Sequence, residues 1–140
     1  MNRMTDEVGY LLKEVQQDLR KRMDRALTEL DLTTPQYSVL SELQAYPGLS
    51  NADLARKSFV TPQTMNLIVQ KLETRDLVGR SQSATHGKII NTAVTAKGED
   101  LLNQANELVI EVQHEIFSRI SEAETIALTE ILKKLRQGIT

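Results

Sequence analysis

A chain of 140 residues has the length of one domain, and at that size about two-thirds of the surface exposed by the unfolded chain can be buried. It contains no cysteine, which excludes disulfides, thiolate metal sites and cysteine redox chemistry. The net charge of −2 argues at first against a polyanionic partner. The average hides an asymmetry, because Leu54 to Gly98 carries Arg56, Lys57, Lys71, Arg75, Arg80, Lys88 and Lys97 against only Glu73 and Asp76. That segment is +5 and the flanks together are −7, so one face is suited to a polyanion while the rest does something else. The opening MNRMTDEVGY lacks the apolar core of a signal peptide, and no apolar run reaches the ~18 residues of a membrane span. A soluble, cytoplasmic protein is expected. Aromatic residues make up only 4%, and the abundance of Ala, Leu, Glu, Gln and Lys favours helix.

Val8, Leu11, Leu12, Val15, Leu19, Met23, Leu27 and Leu30 recur at three- and four-residue steps and predict a long amphipathic first helix. Thr34 as N-cap with Pro35 behind it opens a second helix to about Tyr46, with Tyr37, Leu40 and Leu43 inward; Pro47-Gly48 ends it. Ser50 with Asp53 three residues later caps a short helix over Asn51 to Lys57. After the turn Ser58-Phe59-Val60, Thr61-Pro62 opens a helix to about Thr74, with Met65, Ile68, Val69 and Leu72 on one face. Leu77 to Arg80 and the β-branched run Ile89 to Val94, joined by a glycine-bearing loop, read as a hairpin. Thr95 caps a second long helix striped by Leu101, Leu102, Ala105, Leu108, Val109, Val112, Ile116 and Ile120. Ser121 and Glu124 form a capping box for a last helix carrying Ile126, Ile131, Leu132 and Leu135.

Short helix, tight turn, second helix and hairpin, in that order, predict a mainly α fold with a small β-hairpin wing, a winged helix-turn-helix. The chain reads as a single domain, 1–140, with a DNA-binding lobe over about 32–98 and dimerisation helices over about 5–30 and 99–138. With the inward face of the helix from Thr61 fixed, Gln63, Leu67, Gln70 and Thr74 lie opposite and Asn66 at the edge. Gln and Asn can pair bidentately with adenine, and an exposed Leu67 can meet a thymine methyl. Thr61 and Thr64 stand in the first turn, where free backbone amides and the helix dipole can hold a phosphate. Lys57, Lys71, Arg75 and Arg80 supply sequence-blind phosphate contacts. At the hairpin tip Lys88 can enter or span the minor groove, with His86 adding charge at mildly acidic pH. The plain alternative, a solvated helix face and an ordinary surface loop, stays open on these residues alone.

Several runs resemble the MarR family of transcriptional regulators. Leu32-Thr33-Thr34-Pro35-Gln36-Tyr37-Ser38-Val39-Leu40 is similar to its "LTxxQYxVL", and Leu49 to Arg56 to its "LSxxELAxx". Val60 to Asn66 resembles the start of its recognition helix, Leu72 to Arg80 its "LExxGLVxR", and Val94 to Gly98 its "LTxxG". Asp76 stands where the family commonly has glycine, and Thr85-His86-Gly87-Lys88 replaces an acidic residue followed by arginine at the wing tip. The resemblance implies a two-fold homodimer built from the terminal helices, with two recognition helices in successive major grooves about 34–36 Å apart on a pseudo-palindromic operator. It further implies a repressor released by a small aromatic or lipophilic ligand bound between the lobe and the dimer helices, with no cofactor. An enzyme is the competing class, but no nucleophile constellation or nucleotide loop is present, and Glu111, His114 and Glu115 fall short of a metal motif. A helix-turn-helix module that binds protein instead of DNA is the other.

Overall fold

The structure, a computed structural model, describes residues 3–82 and 90–138, with side chains described within 6–80 and 91–138. Its elements are α1 (Arg3–Thr28), α2 (Thr34–Ala45), α3 (Asn51–Lys57), α4 (Pro62–Thr74), β1 (Val78–Gln82), β2 (Ile90–Val94), α5 (Ala96–Phe117) and α6 (Glu122–Arg136). The mainly α architecture with one small antiparallel sheet is the one expected.

Local chemistry sets the boundaries. Thr33, not Thr34, is the N-cap of α2: its hydroxyl accepts from the Gln36 N–H while the Gln36 side chain accepts from the Thr33 N–H. A reciprocal capping box satisfies two orphan amides where a lone threonine cap satisfies one, so the helix starts one residue earlier than Pro35 suggested. Ser50, Thr61, Thr95 and Ser121 cap α3, α4, α5 and α6 as expected. The hairpin pairs Val78 with Val94 through Gln82 with Ile90. Leu77 precedes β1 and is a buried corner residue, its N–H donating to the Leu72 carbonyl and its carbonyl accepting from Thr95. The sheet is also tied to the segment before α3, through a Ser50–Asn91 bridge and a bond from the Thr92 N–H to the Leu49 carbonyl.

One core runs through the lobe and into the long helices, with Leu27, Leu40, Leu43, Leu54, Met65, Leu72, Leu77 and Leu102 fully buried. Helix α5 packs on α1 and α2, and Arg22 of α1 donates to Glu115 of α5 at 2.5 Å. The apolar stripe of α1 is used unevenly. Leu27 is buried, while Val8, Leu11, Leu12 and Val15 are exposed. No residue of α6 is buried, and Ile126, Ile131, Leu132 and Leu135 all face outward.

Candidate nucleic-acid interface

Helix α4 is held by its buried side. Met65, Val69 and Leu72 are sealed in the core and Ile68 is half-buried, so a step of about 100° per residue turns Gln63, Leu67, Gln70 and Thr74 to solvent, where all four are exposed. Leu67 is 61% exposed, an uncovered apolar side chain between two amides. Asn66 is half-buried at the edge.

Helix α3 fixes where α4 begins. Its Leu54 and Ala55 are buried, the Ala55 carbonyl accepts from the Val60 N–H, and the Asn51 amide donates to the Pro62 carbonyl at 3.1 Å. Asn51 was not among the expected site residues. A polar residue at the first position of a short helix looks like ordinary surface, and only the turn brings Pro62 beside it. The turn needs Phe59 at φ +55°, a left-handed conformation that an aromatic residue adopts at a cost. Phe59 is 85% exposed, so core packing does not offset that strain.

The phosphate site imagined at the first turn is narrower than expected. The Thr61 hydroxyl accepts from the Thr64 N–H and donates to the Thr64 hydroxyl, both at 3.1 Å, and Pro62 has no N–H. Of the three residues Pro62, Gln63 and Thr64, only Gln63 keeps an uncommitted amide, with the two hydroxyls beside it.

The cations divide into two groups. Lys71 is exposed on the flank of the outward face and has no ion-pair partner among the described residues. Lys57 is held with its ammonium 4.7 Å from the centre of the Tyr46 ring, a cation–π contact that leaves its charge near the surface. Arg75 departs from the expectation of a free phosphate contact: its guanidinium donates to the carbonyls of Asp31 at 2.5 Å and Leu30 at 3.2 Å, clamping the corner between α1 and α2. The carbonyl of Arg75 in turn accepts from the Lys97 ammonium at 3.1 Å. Arg80 folds back from β1 onto α4, donating to the Asn66 side-chain oxygen at 3.2 Å and standing 3.7 Å from a Glu73 carboxylate oxygen. That last distance makes an ion pair but not a hydrogen bond, and Nε and Nη2 of Arg80 are buried without a hydrogen-bond partner. His86 and Lys88 lie outside the described residues.

Two clefts flank α4. One, of about 600 Å³, opens between the α1–α2 corner and the outward face and is lined by Leu32, Gln36, Leu67, Gln70 and Arg75. The other, of about 340 Å³, lies between α1 and the helix-turn-helix, with Arg20, Ser38, Lys57, Met65 and Ile68 in its wall. Among the described residues no cluster of metal-binding side chains occurs and no helix is long and apolar enough to cross a membrane.

A short helix, a tight turn, a second helix with one polar side free, and an antiparallel hairpin behind it define a winged helix-turn-helix protein. The sequence profile of the MarR family matches residues 30–89. The HTH-type transcriptional repressor Rv2887 of Mycobacterium tuberculosis is 36% identical over 128 residues, covering 91% of this chain and 92% of the repressor. The crystal structure of that protein with salicylic acid superposes with a TM-score of 0.76 over 91% of this chain and 94% of the other, at 36% identity. A mutant of Escherichia coli MarR complexed with operator DNA shares the fold at a TM-score of 0.84, covering 92% of this chain and 93% of that one, at 21% identity. The chain belongs to the MarR family.

Proposed function

We propose that the protein is a sequence-specific DNA-binding transcriptional repressor that acts as a homodimer on a pseudo-palindromic operator. The observation that carries this reading is the outward side of α4, where Gln63, Leu67 and Gln70 are exposed together while the opposite side is locked in the core. Such a side, set at the end of a helix-turn-helix, fits the donor and acceptor pattern of a major groove. Gln63, Asn66, Leu67 and Gln70 read base edges in this proposal. Thr61, Thr64 and Lys71 contact phosphate, and Lys88 with His86 serves the wing. Arg75 and Arg80 act in the interface by holding its parts in place. The Rv2887 relative, named as a repressor, supports the regulatory direction.

The homodimer follows from the uncovered helices. A 15-residue helix that buries none of its residues is marginal alone in water. Its Ile126, Ile131, Leu132 and Leu135, like Val8, Leu11, Leu12 and Val15 of α1, are left exposed, and uncovered apolar side chains of this kind mark an interface. A two-fold axis through these helices doubles the reading surface and spaces the two copies of α4 for successive grooves. In this reading the protein is cytoplasmic and has no catalytic step.

An aromatic carboxylate is the effector class that fits best. The cleft between α1 and the lobe carries Arg20 and Lys57 beside Met65 and Ile68, a cationic rim over an apolar floor, and the Rv2887 structure is a complex with salicylic acid. Occupancy regulates only if the ligand binds the DNA-competent and DNA-incompetent spacings unequally. Salicylate that raises the melting temperature yet leaves operator affinity unchanged contradicts this part.

The reading is tested by selecting duplexes from a randomised pool and titrating variants on them. Gln63→Ala and Gln70→Ala are expected to reduce discrimination at individual base pairs by about 1–3 kcal/mol. Lys71→Ala is expected to weaken all duplexes alike. Unchanged sequence preference in both glutamine variants overturns the assignment, and a wild-type protein that captures no duplex leaves a protein-binding module as the better reading.

A further inference from the structure

Arg80 and Asn66 form a contact whose chemistry fixes an orientation. A guanidinium carries only donors, so the Asn66 atom 3.2 Å from Nη1 must be its carbonyl oxygen; the amide cannot be flipped without setting donor against donor. Arg80 is itself half-buried and ion-paired. It is only 20% exposed, and Glu73, one helical turn from Gln70 on α4, stands 3.7 Å from its Nε. Because the amide is planar, drawing Oδ1 toward β1 leaves the two Nδ2 hydrogens directed away from it, and Nδ2 donates no hydrogen bond among the described residues.

We propose that Arg80 is a positioning residue that turns the Asn66 carbonyl inward, so that Asn66 meets a base edge as a donor only and selects acceptor-bearing bases against cytosine. This rests on the DNA-reading function proposed above and changes one expectation drawn from sequence. Bidentate pairing with adenine uses both ends of the amide, Oδ1 accepting from N6 and Nδ2 donating to N7. Oδ1 keeps a second lone pair, but the Arg80 bond directs it toward β1, so the end of the amide left for a base edge is Nδ2, with guanine N7 and O6, thymine O4 and adenine N7 as its partners; cytosine, which offers only its N4 donor in the major groove, is refused. The side chain thereby filters a class of base instead of naming one.

The experiment uses the full-length protein and its selected duplex. Asn66→Ala identifies the base pair at which preference disappears. At that position the wild type is expected to bind guanine, thymine and adenine within about threefold of one another and cytosine at least about fivefold worse, the scale of one base-edge contact. Replacing adenine there by purine, which lacks the 6-amino group, is expected to change affinity less than twofold, while 7-deaza-adenine loses about fivefold. These analogue measurements need no variant and survive any folding defect. Arg80→Met is expected to alter the order of bases, raising adenine and making the purine substitution costly, whereas a merely structural Arg80 lowers affinity for every duplex equally. Loss of binding on removal of the 6-amino group in the wild type, or an unchanged base order in Arg80→Met, overturns the proposal. A wild type that selects sequence while Asn66→Ala keeps every preference overturns it alone, and a wild type with no sequence preference overturns the DNA-reading function with it.

Discussion

Replacing Gly98 by alanine probes the joint between the reading lobe and the long helices. A Cβ at this position lies 2.1 Å from the Leu77 carbonyl oxygen and 2.7 Å from a methyl carbon of Val94, where ordinary carbon contacts are about 3.3–4.0 Å. Neither side can yield easily. Leu77 is buried, its N–H is bonded to Leu72 and its carbonyl to Thr95 at 3.0 Å, and the Gly98 N–H is bonded to the Thr95 hydroxyl at 3.0 Å. Relief requires α5 to withdraw by about 1 Å, stretching the Thr95 cap. Overpacking of this kind costs about 1–3 kcal/mol and a weakened hydrogen bond about 1 kcal/mol. Against these stands a gain of up to about 1 kcal/mol from alanine's helix propensity. The net is a destabilisation of about 1–3 kcal/mol, equivalent to a melting temperature lowered by about 3–12 °C for a chain of this size. Thermal unfolding followed by circular dichroism at one fixed protein concentration measures it, because the proposed dimer would make the midpoint concentration-dependent. Gly79→Ala is the control: a Cβ there meets nothing within 4 Å, and a change within about 0.5 kcal/mol is expected. A Gly98→Ala midpoint equal to that of Gly79→Ala refutes the close approach of α5 to the Leu77 corner.

Three further outcomes are expected. Phe59→Gly removes an exposed aromatic side chain from a left-handed backbone position and should raise stability by up to about 1 kcal/mol; a lowered urea midpoint contradicts the turn geometry. Arg75→Ala strips two charge-assisted donors from the Asp31 and Leu30 carbonyls and should cost about 2–3 kcal/mol, with DNA affinity falling through loss of folded protein; an unaltered urea midpoint with weaker DNA binding would instead make Arg75 a direct phosphate contact. The Asp24 carboxyl is held below its ordinary value by the Thr34 hydroxyl and by Arg20, Asp53 by Ser50 and Arg56, and Glu124 by Ser121. Folded-state values below the unfolded ones near 3.9 and 4.3 mean that this stability is complete above those values and is lost as pH falls through the folded-state values. Urea midpoints should therefore be level between pH 7 and 5 and fall below about pH 4, and Asp24→Asn should flatten the fall; an unchanged acid limb in that variant counts against the Asp24–Thr34 contact.

The reading helix was legible because its signals are local. Ser50 and Thr61 announce the starts of α3 and α4, Pro62 fits the first helical position, and the spacing of Met65, Val69 and Leu72 alone decides that Gln63, Leu67 and Gln70 face out. Asp76 was legible in outline as well: it replaces a glycine common in the family and adopts φ +61°, a conformation glycine takes freely and aspartate tolerates. Gly98, matched as a motif letter, has its reason in the 2.1 Å approach to Leu77. The destinations of the arginines were not legible. Arg75 ends on carbonyls 44 and 45 positions away in sequence, and Arg80 on a helix 14 positions back; periodicity carries no information about either. Asp31 and Phe59 hold left-handed conformations without being glycine, so composition gave no warning of those turns. The start of α2 lies one residue before the one Thr34-Pro35 implies, because the Gln36 side chain completes a capping box on Thr33.

In the proposed complex the exposed amide side of α4 enters a duplex groove twice per assembly. Fluorescence anisotropy with the selected pseudo-palindromic duplex and a scrambled one of equal length, titrated over a series of salt concentrations, tests it directly. Two chains should bind each duplex, affinity should fall steeply with salt for both DNAs, and the selected duplex should be held at least about a thousandfold more tightly than the scrambled one. Equal affinity for the two duplexes at every salt concentration would contradict it.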